Sequence, residues 1–450
     1  MHLPLLALML VLAAPPAPAA ASDPHLAELV AKARAERLGE DLAWLRLGHW
    51  RRGLLGPRSE ADGPAFFRAK DGKTDPAAEL EATLAAFFEP QAATGDELDH
   101  AQCRFPGRLR FLSDRLGLDP ARLPKVSCPR RDQFLARVAP RAATLVFSSY
   151  YLNNPSSAFG HTLLRLDKAD GSRPGRSEEL LDYGIDFAAT VDTGNSIIYA
   201  VKGLTGLFHG DFKHYPYYYK IRQYADAESR DLWEYDLALA QPEVELLAAH
   251  LWELGGTWFD YWYLDENCSY HVLGALEAAA PRLDLVSKVG RFVVLPADTV
   301  QALFANPGLV RAVHWRPSIR TQFEARLAKL SGEGRAAVVR LAADPRANVS
   351  LPPAEAAAAL DAALDHVDML GGTDLLLGGD PEALRRRQVL LERRAALRLP
   401  SPPLDLPIPE DRRPDRGHAS SRVGLGGGAA RHGGPAVLLD LRLALHDLGD

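Results

Sequence analysis

One stretch restricts this 450-residue chain more than any other. It is residues 261–276, Tyr261-Trp-Tyr-Leu-Asp-Glu-Asn-Cys-Ser-Tyr-His-Val-Leu-Gly-Ala-Leu. An aromatic run meets a short acidic turn, and a helix follows. Asp265 and Asn267 are both good caps, and Val272, Leu273, Ala275, Leu276 and Ala279 recur with helical spacing. Cys268 therefore falls in the first turn, where free N–H groups and the positive end of the helix dipole favour a thiolate. A cysteine so placed is either a nucleophile waiting for a histidine or a small buried helix residue.

Export bears on the choice. Leu3 to Ala14 is an apolar core, and Ala19-Ala20-Ala21 before Ser22 reads as a cleavage site, so residues 1–21 are expected to be a signal peptide. No later stretch has the apolar length of a membrane helix. Of three cysteines, Cys103 and Cys128 are expected to pair in an oxidising compartment, closing a loop of roughly 25 residues worth on the order of 3 kcal/mol. Cys268 is then the odd thiol, and a free thiol in an exported protein raises the odds of chemistry. The net charge of -6 argues against a nucleic-acid partner.

Taken in order, residues 22–140 read as a helical N-terminal domain stapled by the disulfide. At 144–151 the texture becomes strand-like. A turn-forming Asn153-Asn-Pro-Ser-Ser-Ala-Phe-Gly follows, and His161-Thr-Leu-Leu-Arg-Leu-Asp is a second strand. His161 thus stands at a strand mouth behind a small-residue loop, with Phe159 just before it. The alternative is a histidine that only bonds the loop backbone. The strand expected at 179–187 offers Asp182, Tyr183 and Asp186 as partners for the imidazole. Residues 194–209 read as a helix and a glycine-punctuated loop in which Leu204, Leu207 and Phe208 form a lid or lipid-facing flap, unless they simply pack. Residues 215–219, 232–237 and 291–296 look like further strands. Trp258, Phe259, Tyr261, Trp262 and Tyr263 could line an apolar tunnel, although such clusters are more often core. His271 is an alternative base. A lone Cys-x-x-His is weak for zinc, and His209, His214 and His250 lack matching spacing, so neither a metal nor any cofactor is expected. Residues 316–400 form a helical platform and 401–416 a proline-rich linker. Residues 417–450 hold a β-hairpin in which Val437, Leu439, Leu441, Leu443 and Leu445 alternate with Leu438, Asp440, Arg442, Ala444 and His446. That pattern suits the first strands of an outer-membrane barrel, or an edge hairpin on the platform.

The strings at 150–166 (Tyr-Tyr-Leu-Asn-Asn-Pro-Ser-Ser-Ala-Phe-Gly-His-Thr-Leu-Leu-Arg-Leu), 230–237 (Arg-Asp-Leu-Trp-Glu-Tyr-Asp-Leu) and 265–270 (Asp-Glu-Asn-Cys-Ser-Tyr) together resemble the periplasmic domain of the bacterial lipoprotein N-acyltransferase Lnb family. The histidine-before-cysteine order also resembles circularly permuted NlpC-like papain-fold enzymes. The resemblance covers residues 141–315 and implies an α+β fold with an antiparallel sheet and a nucleophile helix. It implies Cys268 as nucleophile and His161 as base. Asp182 is the expected third member, with Asp186 and Tyr183 open, and Asn267, Tyr263, Trp262 and Phe159 are the expected substrate contacts. The implied function is a periplasmic, outer-membrane-associated acyltransferase working through a Cys thioester. Its partners would be a phospholipid or lipoprotein acyl donor, an amine acceptor and a membrane surface. A cysteine hydrolase of peptidoglycan amides or lipid esters would use the same pair, and a non-catalytic envelope scaffold would leave Cys268 inert.

Overall fold

The computed structural model describes residues 23–151, 159–168, 179–290, 293–401, 403–418, 420–430 and 434–442. Helices α1 (Pro24–Ala35) and α2 (Leu42–Leu47) lead into a hairpin, β1 (Trp50–Gly53) and β2 (Gly56–Ser59). Then come α3 (Pro76–Phe87), α4 (Ala101–Arg104), α5 (Pro106–Leu116) and α6 (Pro129–Val138). The expected helical N-terminal region is thus present with a hairpin added. Asp23, Asp41 and Asp75 accept backbone N–H groups at the starts of α1, α2 and α3, and proline opens α1, α3, α5 and α6, where its missing N–H costs nothing. Cys103 and Cys128 form the disulfide, joining α4 to the entry of α6.

The next element is a seven-stranded antiparallel sheet. In chain order it contains β3 (Ala142–Ser148), β4 (His161–Asp167), β5 (Tyr183–Thr190), β6 (Phe208–Pro216), β7 (Leu232–Leu237), β8 (Phe259–Tyr261) and β9 (Val310–Arg316). Across the sheet the order is β8-β6-β5-β4-β3-β7-β9. Strands β3 and β4 are buried at every position, because helices cover the sheet. Between the strands lie α7 (Ser196–Leu204), α8 (Tyr217–Ile221), α9 (Gln241–Leu254), α10 (Cys268–Ala279) and α11 (Pro296–Phe304). Helix α10 packs on β4 and β5 with one side and on α2 and α9 with the other. It is buried all round as a result, including Ser269, His271 and Glu277. One hydrophobic core runs from Leu29 through the sheet to Trp315, so the N-terminal helices and the sheet share it.

Two expectations for this region change. Residues 215–219 are not a strand: β6 stops at Pro216, α8 begins at Tyr217, and a π-helical turn continues over Arg222–Ala227. Residues 293–295 form no strand either, and Arg291 and Phe292 lie outside the described residues. Val294 instead bonds the turn before α10, its N–H to the Leu264 carbonyl and its carbonyl to the Asn267 side chain.

The platform has its own core around Leu341, Leu360 and Leu390. It consists of α12 (Ile319–Ala328), α13 (Gly332–Ala343), α14 (Pro353–Leu377, kinked at Gly372) and α15 (Pro381–Ala396). The chain's last described elements, β10 (Arg422–Ala430) and β11 (Gly434–Arg442), form a separate two-stranded sheet. Val437, Leu439 and Leu441 stand in solvent there, not packed on the platform. Leu443, Ala444, Leu445 and His446 lie outside the described residues. Among the described residues no helix is long and apolar enough to cross a membrane.

Candidate active site

Cys268 is the first residue of α10. Asn267 caps the helix, its side-chain oxygen accepting from the Ser269 and Tyr270 amides. Its amide nitrogen donates to the carbonyls of Tyr263 and Val294. Asn267 is therefore fully engaged in fixing the turn and is not free to hold a substrate; Asp265 does not cap α10.

His161 begins β4, opposite Ser148 of β3. Gly160 before it has φ +94°, and a Cβ there would sit 2.8 Å from both the Phe147 ring and the Ser148 carbonyl. Only glycine lets the chain turn into the strand that tightly. Together β4 and α10 bring His161 against Cys268 within one buried crevice, close enough for each to shift the other's pKa. His161 Nε2 lies 2.6 Å from Asp186 Oδ1 on β5, which leaves Nδ1 for the thiol. The carboxylate on the imidazole is thus Asp186, not Asp182. Leu163 pairs with Asp186 and Leu166 with Tyr183, so Asp182 falls at the far end of the strand pair. There it accepts from the Lys168 amide and approaches Arg165. Tyr183 rests against His214 and Lys168, away from the imidazole.

Sequence reasoning missed Lys220. Its ammonium donates to Asp186 Oδ2 at 2.6 Å and reaches the Tyr224 hydroxyl at 3.4 Å. Helix α8 and the π-helical turn hold Lys220 and Tyr224 over β5, four residues apart on one face. The available signal was a lysine closing an aromatic run, which the strand reading of 215–219 obscured. Arg230 stacks on Tyr224 and donates to the carbonyls of Ser148 and Ser149, pinning the end of β3.

The electrostatics follow from this chain of contacts. Burial pushes the Cys268 thiol up, but the His161 charge and the Thr162 amide outweigh it, and the thiol's pKa is lowered. Burial works against a charged His161, yet Cys268 and then Asp186 raise it to about 10. Asp186 resists burial because His161 and Lys220 hold its carboxyl well below the usual range. These shifts favour a thiolate–imidazolium pair, backed by Asp186 and, through it, by Lys220.

The remaining sequence candidates separate. His271 is not the base: it lies between Phe187 and Phe259, and neither ring nitrogen has a hydrogen-bond partner. Phe259, Tyr261 and Phe208 belong to the core. That removes Phe208 from the flap, while Leu204 and Leu207 stay exposed. Tyr263 bonds the Gly203 carbonyl through its amide, and burial, Tyr199 and Cys268 push its phenol up to about 12, so it borders the thiol. Trp262 is partly exposed and lies over Gly206, whose φ is +69°. Phe159 lines an open groove of about 900 Å³ with Phe147, Tyr151, Trp233, Leu295 and Arg320. Cys268 itself is only 4% exposed and is not among the residues that line this groove.

Helix α7 borders the same crevice, since Tyr199 reaches the core beside Phe208. Its other face carries Ile197, Ile198, Val201 and Leu204 into solvent, Ile197 being 76% exposed.

Comparison with curated proteins finds no match, and neither does comparison with solved structures. Residues 36–115 match the model of a domain of unknown function, DUF7843. Residues 130–306, which contain His161, Asp186, Lys220 and Cys268, match the model of the Lnb N-terminal periplasmic domain, which supports the Lnb family and a periplasmic location for this part of the chain.

Proposed function

We propose that this protein is a thiol acyltransferase of the cell envelope that moves an acyl chain through a thioester on Cys268 to an amine. One observation carries the reading: the His161 ring is held between the Asp186 carboxylate and the thiol at the start of α10. The Lnb match supports a lipoprotein-processing role for such a site.

The steps balance as follows. The Cys268 thiolate attacks the carbonyl of a phospholipid or lipoprotein ester. The C–S bond forms, the C–O bond breaks, and imidazolium His161 gives its proton to the departing alkoxide. The neutral imidazole then takes a proton from the incoming amine as it attacks the thioester, and the thiolate leaves as the pair reforms. Asn267 occupies the Ser269 and Tyr270 amides, and the His271 amide bonds the Asn267 carbonyl. The Cys268 amide is then the helix-start donor left for the oxyanion. Asp186 keeps the ring oriented and charged, and Lys220 keeps Asp186 ionised.

The apolar face of α7 favours a lipid donor over a cell-wall peptide. Exposed aliphatic side chains beside a thiol are suited to an acyl chain at a membrane surface, and they keep competing water away. The exposed apolar side chains of β11 favour the same surroundings. A direct test mixes the full chain with phospholipid vesicles and a diacylglyceryl-cysteine peptide. N-acylation of the peptide, absent in Cys268→Ala, is expected. Cleavage of muropeptides without acyl transfer would replace this reading with the hydrolase, and a thiol inert to both would leave the scaffold.

A further inference from the structure

Beneath the nucleophile helix lies a second cluster that the thiol chemistry does not use. His49, Glu60 and His271 each offer one ligand atom, and these atoms all lie within 4.8 Å of one another. His49 follows α2, Glu60 follows β2, and His271 sits one turn after Cys268 on α10. The cluster therefore bridges the segment matching DUF7843 and the helix that bears the nucleophile.

Its hydrogen bonding is incomplete in an informative way. His271 is fully buried, yet both ring nitrogens lack partners. Glu60 Oε1 accepts from Arg51 Nε at 3.1 Å and from the Tyr270 hydroxyl, but Oε2 has none. An unpaired buried polar group costs about 1–3 kcal/mol, so Glu60 Oε2 and the His271 ring are a persistent cost unless something between them takes their lone pairs. His49 is tied on its far side only. Its Nε2 meets His250 Nε2 at 3.0 Å, and His250 Nδ1 meets Glu253 Oε2 at 2.9 Å. A His250 that donates through Nδ1 to the Glu253 carboxylate accepts through Nε2. His49 then donates through Nε2, and its Nδ1 carries a lone pair. A ligating histidine has its free nitrogen fixed in this way by an outer partner.

We propose that His49, Glu60 and His271 bind a divalent transition ion, zinc by the two-nitrogen, one-oxygen donor set, which clamps the N-terminal region onto the nucleophile helix. Three protein ligands leave a fourth position for a water. Bond lengths near 2.0–2.2 Å put tetrahedral zinc ligands about 3.3 Å apart, so atoms up to 4.8 Å apart must close by up to about 1.5 Å. Arg51, a cation beside the site, is already paired with Glu60 and Glu277. A water alone in the site would satisfy some of the same atoms, but it would leave no metal to measure.

The test uses the full chain without a histidine tag, carrying Cys268→Ala so that the thiol cannot ligate. It is stripped with chelator, supplied with zinc chloride and passed through a sizing column. One zinc per chain is expected, falling about tenfold or more in both His271→Leu and Glu60→Gln, two variants chosen so that misfolding of one leaves the other to report. With Cys268 restored, cobalt should give a nitrogen/oxygen tetrahedral spectrum without a thiolate charge-transfer band. A chain that stays zinc-free, variants that keep their zinc, or a thiolate band overturns the proposal. None of these readouts depends on acyl transfer.

Discussion

Replacing Asp186 by Asn removes the carboxylate that orients and charges His161. Nε2 and Oδ1 are 2.6 Å apart, which at an effective dielectric of about 20 is about 6 kcal/mol of gross attraction. Much of that offsets desolvation of the two groups. Even a net loss of about 3 kcal/mol is roughly two pK units, which takes His161 from about 10 to about 8. The imidazolium then survives at pH 6.5, but its titration, followed through the ring-proton shifts in NMR, should have a midpoint about two pH units below that of the wild type. Lys220 would be left buried and unpaired, so the comparison is best made in Asp186→Asn/Lys220→Met. Asp182→Asn, whose carboxylate meets Arg165 and the Lys168 amide far from the imidazole, should keep the wild-type profile. Superimposable profiles for the Asp186 variant and wild type, or a shifted profile for Asp182→Asn, would refute the assignment.

The thiolate–imidazolium pair should also shape stability against pH. Unfolded, the imidazole loses its proton near ~6.5 and the thiol near ~8.5; folded, His161 keeps its proton to about 10 while Cys268 ionises below its ordinary range. The raised imidazole contributes stability that is present below ~6.5 and lost as pH rises through about 10, and the lowered thiol contributes stability that is present above ~8.5 and lost as pH falls below it. Urea titrations of wild type against Cys268→Ala/His161→Gln check this: the pair's contribution should fall between about pH 8.5 and 10, and one that stays level there contradicts it. Removing the disulfide with Cys103→Ala/Cys128→Ala frees a loop of 25 residues and should cost about 3 kcal/mol in the same assay; a loss under about 1 kcal/mol would mean the unfolded chain is little constrained by it. Ile197→Asp and Val201→Asp on α7 should each weaken binding to phospholipid vesicles about tenfold while changing stability by less than about 0.5 kcal/mol, because both side chains are exposed. Unaltered vesicle sedimentation would remove α7 from the membrane contact.

The parts that local chemistry dictates were readable in the chain. Asn267 announces the start of α10 because its side chain can only satisfy amides that follow it. The turn ending at Gly160 announces β4 because a Cβ there would strike Phe147. The cysteine pairing followed from their number and closeness. What failed was register. Asp182 and Asp186 share a strand face by parity, so alternation cannot choose between them. The offset of β5 against β4 chooses, and it moves Asp182 about 20 Å along the strand from His161. Lys220 was hidden by a similar conflict, since aromatics at 215–219 have strand propensity while tertiary packing folds Tyr217 onward into α8. The His49, Glu60 and His271 cluster has no sequence spacing at all. It exists only because α2 and β2 pack beneath α10.

The most direct measurement is the mass of the Cys268 peptide after the full chain meets a phospholipid with no amine present. The account predicts an acyl group in thioester linkage on Cys268, released by hydroxylamine and missing in His161→Gln. An unmodified Cys268 alongside free fatty acid or intact lipid, or an acyl group found on another residue, would contradict it.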